Sequence, residues 1–534
     1  MKLGFDTKKY LSVQKRAIEE RLSKFSGRLY LEFGGKLLDD FHASRVLPGY
    51  DANAKLTLLK SLKKDLGIIF CVSAKQLTER KILGNWGVSY DEATIKALGI
   101  LKESGLLVLG VVINRFDGEI EVEKFEKRLK RMGVKVYKRM EINGYPKEIG
   151  KILSKKGYGR DDYIEGSKPL VVVWGAGPGS GKLSTCLGQV YLDAKRGINS
   201  GYAKFETFPV WDLKLRHLVN EAYEASTADL GDFNLIDKYH KQACGKKTVN
   251  YNRDVEAFPI IKEIFDRVLD KKNFSRQYKS PTDMGVNCIN DGIIDDKVVC
   301  EGAKKGIILY WFRYLEEYKN GLLDVVALNR MKEIMNRIGI SENYLKTVME
   351  ARKTRREAME GKYKGEKGIF CGAAIELDDG QVIVGKNSKL LHAEAAVVLN
   401  AIKRIGKIPD DFDLISKSVI MQINKFKKEL GDRSFSLDCF EALLALAVSA
   451  RDNPLAKKAL RFLSRLRSCY IHTTHQPSVS DEKLFRKLGM WMTTDGLVEK
   501  VILIPLGRRR LRAWFWHRWR CLFSWCQDWL EERQ

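Results

Sequence analysis

Short apolar runs separated by charged stretches of helical length set the rhythm of the first third of the chain. Runs at 29–33, 68–74, 106–113, 134–137 and 170–174 alternate with polar stretches such as 91–103 and 121–132. A short continuous apolar run reads as a strand buried on both faces, and strand–helix alternation predicts a largely parallel sheet flanked by helices. Ligand-binding loops are then expected at the carboxyl ends of the strands. A helix precedes the first run: Leu11, Ala17, Ile18, Leu22 and Phe25 fall near helical spacing, with Lys and Glu between them.

Farther along, the period changes. Between 303 and 362 apolar residues recur at helical intervals, as in Ile307, Leu309, Trp311, Phe312 and Leu315, then Met331, Ile334, Met335 and Ile338. The stretch 351–368 is charged and weakly apolar, and a new α/β unit begins at Gly368. The expected organisation is a multidomain α/β protein: an N-terminal α/β domain over 1–302, a helical subdomain and linker over 303–367, a second α/β domain over 368–504, and an extension over 505–534. That extension is rich in Arg and holds Trp514, Trp516, Trp519, Trp525 and Trp529, five of the chain's ten tryptophans. It reads as an addition that the fold does not need.

Composition narrows the class. A chain of 534 residues with 44% hydrophobic and 30% charged residues has apolar mass for several cores, which excludes wholesale disorder. The net charge of +26 favours phosphate-bearing partners, small molecules and nucleic acids alike. Ten scattered cysteines without a CxxC pair suit a reducing cytosol. No apolar run approaches the roughly 20 residues of a membrane helix, and the start lacks the apolar core of a signal peptide. A cytoplasmic protein without a transmembrane segment is expected, with self-association open.

The strongest chemical signal follows Trp174, in Gly175-Ala-Gly-Pro-Gly-Ser-Gly-Lys-Leu-Ser-Thr. A buried strand, a glycine-rich turn and a helix opening on Lys182 form a P-loop-like phosphate cradle, in which glycines let backbone N–H groups converge on an anion. Gly177, Gly179, Ser180, Gly181 and Lys182 are its candidate binding residues. Against G-x-x-x-x-G-K-[ST], Ala176 stands where the first glycine belongs and Leu183 replaces the metal-binding hydroxyl. Ser184 or Thr185, one or two positions later, is the candidate substitute. The candidate cofactor is a nucleotide with magnesium. A bare structural turn is the simpler alternative.

Six strings in order carry a resemblance: Leu29-Tyr-Leu-Glu-Phe-Gly-Gly-Lys, Phe41-His-Ala-Ser-Arg-Val-Leu-Pro-Gly, Gly177-Pro-Gly-Ser-Gly-Lys, Gly201-Tyr-Ala-Lys-Phe-Glu-Thr-Phe-Pro, Val249-Asn-Tyr-Asn-Arg-Asp and Ser280-Pro-Thr-Asp-Met-Gly-Val-Asn. Over 1–500 the chain resembles a bacterial family of unknown function, some of whose members bear the label of ATP-dependent peptidase. The resemblance implies an N-terminal α/β part, a helical insert and a C-terminal domain of deaminase-like topology, and no established reaction. It also implies that the apolar residue at Leu183 is a family trait. For a peptidase, the sequence offers neither HExxH nor a nucleophile triad.

The same strings gather polar residues in loops, where ligand groups usually sit. Glu206, Asp229, Asp254 and Asp283 are the candidate catalytic acids, able to hold a divalent cation or accept a proton, and Arg253 is the candidate fork for a phosphate. Lys204, Asn250, Asn252, Thr282 and Asn287 accompany them; Glu32, Lys36, Asp39, His42 and Arg45 form a second polar group. Each alone reads sooner as a helix cap or loop stitch, and it is the cluster that favours a site.

In the C-terminal unit a hairpin turning at Asp379-Gly380 precedes Leu391-His-Ala-Glu, a helix start carrying His392-x-Glu394. Nucleobase deaminases use such a His for zinc and the Glu for proton transfer, with a later P-C-x-x-C completing the site. Here only Cys439 is offered, so zinc is not expected and no metal ligands are assigned. His472 and His475, three apart on a strand, point to opposite faces. The leading reading is a protein that binds a nucleotide or other phosphorylated small molecule, with phosphate transfer or hydrolysis as its chemistry. The alternatives are a nucleic-acid-associated basic protein and a non-catalytic deaminase-like module.

Overall fold

A computed structural model of the chain describes residues 2–79, 82–83, 88–175, 177–362, 368–431 and 436–496. The extension expected over 505–534 lies outside the described residues. Six strands build the main sheet: β1 (Leu29–Phe33), β2 (Leu66–Ser73), β3 (Leu107–Phe116), β4 (Val136–Met140), β5 (Leu170–Gly175) and β6 (Gly201–Phe205). Their order is β4-β3-β2-β5-β1-β6, and every neighbouring pair is parallel. The five apolar runs read from the sequence are β1 to β5. All residues of β2 and β5 are buried, as strands covered on both faces must be.

The two faces carry separate cores. Leu31, Phe33, Ile68, Phe70, Val172 and Phe205 face one layer of helices. Tyr30, Ile69, Cys71, Val171, Val173 and Tyr202 face the other. Alternation along each strand divides its side chains between these layers. Helix α1 (Thr7–Leu22), whose N-cap Asp6 accepts from the Lys9 N–H at 3.0 Å, packs on the first layer through Ile18. Helices α2 (Lys182–Lys195) and α3 (Asn252–Val268) pack on the second through Cys186, Val190, Phe258 and Ile261.

Helices α4 (Asp296–Lys319), α5 (Val325–Ile338) and α6 (Lys346–Glu357) follow. Helix α4 begins before the expected boundary at 303 and shares a third core with Phe5, Tyr10, Val46, Phe208 and Val219 of the N-terminal part. The helices are thus built into the N-terminal body by common side-chain packing.

The last unit is a four-stranded sheet of β7 (Gly372–Glu376), β8 (Val382–Lys386), β9 (Tyr470–Thr473) and β10 (Trp491–Thr494), in the order β8-β7-β9-β10. Strand β7 is antiparallel to both its neighbours, and β9 and β10 are parallel. Helix α7 (Ala393–Ile405) covers it, beside α8 (Cys439–Ser449). Ion pairs tie this unit to the helices: Lys305 to Glu376 at 2.9 Å, and Arg352 to Asp495 at 2.5 Å. Among the described residues, no helix is long and apolar enough to cross a membrane.

Candidate functional site

The glycine turn leaves β5 at the middle of the sheet, between β2 and β1, and delivers the chain to the N-terminus of α2. Gly179 and Gly181 have φ of 73° and 84°, the left-handed region that side chains disfavour. At Gly181 a Cβ would also stand 2.5 Å from Asn114 Cγ, and at Gly177 a Cβ would stand 2.6 Å from Tyr90 Oη. The loop is pinned from outside: Asn114 Nδ2 donates to Ser180 O and Gln76 Nε2 to Pro178 O, both at 2.9 Å. Lys182 is the first helical residue, so its charge joins the positive end of the helix.

Beside this turn lies a cavity of about 300 Å³, lined by Asn114, Arg139, Glu141, Tyr145, Gly181 and Ser184 among others. Arg139, at the carboxyl end of β4, is buried. Its guanidinium meets Asp161 Oδ2 at 2.8 and 2.5 Å and donates to Asn114 Oδ1 at 3.0 Å and Ser184 Oγ at 3.3 Å. Burial works against its charge; Asp161 outweighs this and keeps the group ionised. The two hydroxyls after Leu183 diverge. Ser184 faces the cavity, whereas Thr185 is buried and held between Gly181 O at 2.9 Å and Asn114 Oδ1 at 3.2 Å. Leu183 packs on the second core layer, which explains an apolar residue in that place.

A second group assembles at the ends of β1 and β6, neighbouring strands. Lys204 Nζ lies 2.6 Å from both carboxylate oxygens of Asp254 and 3.1 Å from Glu206 Oε1. Arg253, beside Asp254 in the first turn of α3, meets Asp232 at 3.2 Å. Tyr202 Oη donates to Glu32 Oε2 at 2.8 Å. Burial opposes the charge on Lys204, but Asp254, Glu206 and Glu32 outweigh it and hold the ammonium above its ordinary range. Burial, reinforced by Asp254, pushes the Glu206 carboxyl up, with Lys204 opposing.

A third group follows Gly34 and Gly35. Lys36 Nζ stands 2.6 Å from His42 Nε2, and His42 Nδ1 stands 2.9 Å from Tyr310 Oη. With Lys36 donating, the imidazole is the Nδ1–H tautomer and donates to Tyr310. Burial drives the Lys36 ammonium down to about 7, with Asp40 opposing and Arg313, Arg45 and Lys55 reinforcing. Lys55 is itself buried and paired with Asp40 at 2.9 Å. A buried lysine this close to neutrality is a frequent property of reactive sites.

Of the four acids read from the sequence, Glu206 and Asp254 therefore meet around Lys204, while Asp229 and Asp283 stand elsewhere. Asp229 accepts from Tyr314 Oη at 2.8 Å, and Asp283 accepts from the Lys279 N–H at 2.9 Å with His240 at 3.5 Å. The sequence reading missed Asn114, Arg139, Tyr145, Lys55, Tyr310 and Arg313. Asn114-Arg115 closing an apolar run, and Arg139 within a strand, were the available signals. In the C-terminal unit the strand ends at Thr473, so the alternation that separated His472 from His475 does not extend to His475. His472 is buried against Thr493 Oγ1 at 2.8 Å, whereas His475 turns to Glu394 at 3.0 Å. Cys439 starts α8, its N–H donating to Asp481 Oδ2 at 3.1 Å.

Two family models match the chain: domain of unknown function DUF1846, N-terminal, over residues 3–339, and its C-terminal counterpart over 344–502. A UPF0371 protein of Clostridium tetani (strain Massachusetts / E88) is 45% identical over 496 residues, covering 93% of this chain and 98% of the relative. A UPF0371 protein of Clostridium botulinum (strain ATCC 19397 / Type A) is 44% identical over 497 residues, with the same coverage.

Proposed function

The chain belongs to the DUF1846 (UPF0371) family, and from that premise we propose that it binds a nucleotide or other phosphorylated small molecule at the carboxyl edge of its main sheet. The observation that carries this reading is the glycine turn itself: two left-handed glycines leading into a helix N-terminus, between a lysine and a cavity walled by Arg139 and Ser184. Backbone N–H groups, the helix dipole and Lys182 supply the anion site. Arg139 adds a fixed positive wall and Ser184 a hydroxyl for the phosphate or its magnesium ion. Lys204, Glu206 and Asp254, with Arg253 beside them, supply the proton-handling group for phosphate transfer or hydrolysis. Asp229 and Asp283 hold the surrounding loops.

In this reading the C-terminal unit is a deaminase-like scaffold, supported by its hairpin, its helix opening on His392-x-Glu394 and a second helix opening on Cys439. Free thiols among the described residues support a cytoplasmic site of action in this reading.

Calorimetry with ATP, GTP and a panel of phosphorylated metabolites at physiological salt tests the proposal. We expect saturable binding that Lys182→Ala weakens at least about tenfold, near 1.4 kcal/mol. Absence of binding by every compound, with Lys182→Ala indistinguishable from the parent, sinks it. The net charge of +26 supports one rival, a nucleic-acid-associated protein. A salt-dependent shift of random DNA or RNA with no nucleotide binding would install that rival.

A further inference from the structure

Among the described residues, three clusters bring His, Cys or carboxylate ligand atoms within 4.8 Å of one another. Two are closed by their own hydrogen bonds. His217 Nε2 meets Asp296 at 2.9 Å while its Nδ1 accepts from the Val219 N–H at 3.2 Å, and the Asp296 side chain is 64% exposed. His240 Nδ1 is met by Ser280 Oγ at 3.0 Å, and its neighbour Cys244 is exposed.

The third cluster, His392, Glu394 and His475, differs in kind. Glu394 is completely buried, and neither of its carboxylate oxygens has a well-formed hydrogen-bond donor among the described residues. His475 Nε2 stands 3.0 Å from Oε1. A buried carboxylate is ordinarily surrounded by donors or neutralised by a cation at close range. Glu394 stands in the first turn of α7, after the N-cap His392.

The backbone around the cluster is fixed before any ligand arrives. Thr473 Oγ1 and Thr494 Oγ1 both donate to His475 O at 2.8 Å, from the ends of the parallel strands β9 and β10. The His392 N–H donates to Leu437 O at 2.8 Å. The three ligand atoms, within 4.8 Å of one another, thereby sit on two independently anchored segments, as metal centres require.

We propose that His392, Glu394 and His475 form a binding site for a divalent transition-metal ion, zinc by its donor set of two imidazoles and one carboxylate. Three protein ligands leave a coordination position for water or a ligand's donor atom, the arrangement of a catalytic rather than a structural zinc. This ligand set is not the one anticipated from a His-x-Glu helix with cysteines: Glu394 ligates, and His475 stands where a thiolate was looked for. Cys371 lies beside His475 without entering the ligand set.

The test uses the full-length chain without a polyhistidine tag, loaded with zinc sulfate and passed over a chelating resin. Mass-spectrometric metal analysis is expected to return one zinc per chain. His392→Ala, His475→Ala and Glu394→Gln should each weaken zinc at least about tenfold in competition with a chromophoric chelator, whereas His217→Ala and His240→Ala should not. Zinc should also raise the melting temperature of the parent and not of His475→Ala, with far-UV circular dichroism confirming that each variant folds. As a measurement independent of variants, the cobalt(II)-loaded parent should show d–d absorption without a thiolate charge-transfer band. Retention of zinc by the His392 and His475 variants, loss of it on His217→Ala or His240→Ala, or no stoichiometric zinc in the parent would overturn the site. A thiolate band would replace the three-ligand centre by one that includes cysteine.

Discussion

At Gly181 two separate demands for glycine coincide, and at Gly179 only one. Both have positive φ, but a Cβ at Gly181 would strike Asn114 at 2.5 Å, whereas at Gly179 it meets nothing within 4 Å. Gly179→Ala should therefore cost only the left-handed penalty, about 1 kcal/mol. Gly181→Ala should cost about 2–4 kcal/mol, because Asn114 also anchors Ser180 and must move. Urea denaturation of the two variants checks the ordering, and equal losses would show that the contact with Asn114 is unimportant. This residue-level logic was partly legible in the sequence. Glycines between a strand and a helix announce a turn, but nothing in GPGSGK says that Asn114 and Arg139, from other strands, complete its walls. Those contacts depend on strand order, which local pattern does not encode. His475 is hidden for a related reason: its strand ends at Thr473, so the alternation along the strand does not say which way it faces.

Elements were legible where burial was uniform and illegible where glycine entered a helix. The apolar runs gave β1 to β5 because strands inside a parallel sheet need apolar residues on both faces. Helix α4 was expected to begin at 303, yet it begins at Asp296, capped by Asp295, whose side chain accepts from the Val298 N–H at 3.1 Å. Gly302 lowers the helical signal just before that boundary, and Gly306 follows inside the helix. Both are contact points: a Cβ at Gly302 would lie 2.7 Å from Pro48 Cδ, and one at Gly306 would lie 3.5 Å from Val46 Cγ2. Helix propensity alone predicts that Gly302→Ala stabilises by about 1 kcal/mol. Packing predicts the opposite, and we expect a net loss of about 1–2 kcal/mol, with Gly306→Ala close to neutral or stabilising. Thermal denaturation of the pair separates the two effects.

Across the whole molecule, charge joins close packing, such as Phe312 against His472 and Ala351 O against Gly372, in holding the C-terminal sheet to α4 and α6. Asp495 collects Arg352 at 2.5 Å and His472 at 3.4 Å, while its carbonyl accepts from Lys319 Nζ at 2.7 Å. Burial opposes ionisation of its carboxyl, but the hydrogen bonds from His472 and Arg352 outweigh it and hold the pKa below the ordinary 3.8. A carboxyl whose pKa is depressed by folding adds stability at pH above 3.8, and that contribution fades as the pH falls below it. Asp495→Asn should cost about 1–2 kcal/mol at pH 7, a modest figure because the Arg352 side chain remains 35% exposed. The difference from the parent should be constant above pH 5, shrink as the pH falls below 3.8, and persist in part at pH 2, because the folded carboxyl is protonated only at still lower pH. A difference that does not change with pH would assign the effect to packing. This electrostatic seam is not legible in the sequence, since Arg352 and Lys319 lie more than a hundred positions from Asp495.

The position of β5 also orders events in time. Strand β1 pairs only with β5 and β6, so the segment made first among the strands has no sheet neighbour until residue 170 exists. Strands β2, β3 and β4 pair with one another and can assemble as a local unit. Arrival of β5 joins that unit to β1, and the chain leaving β5 is the glycine turn. The turn can take its shape only when the seam is closed, because Asn114 on one side of it belongs to the earlier unit. During synthesis, formation of the turn would mark the joining of β1 to the β2–β4 unit, with β6 still to add, and a nascent chain stalled before residue 170 would carry an unpaired β1 edge open to chaperones or to aggregation.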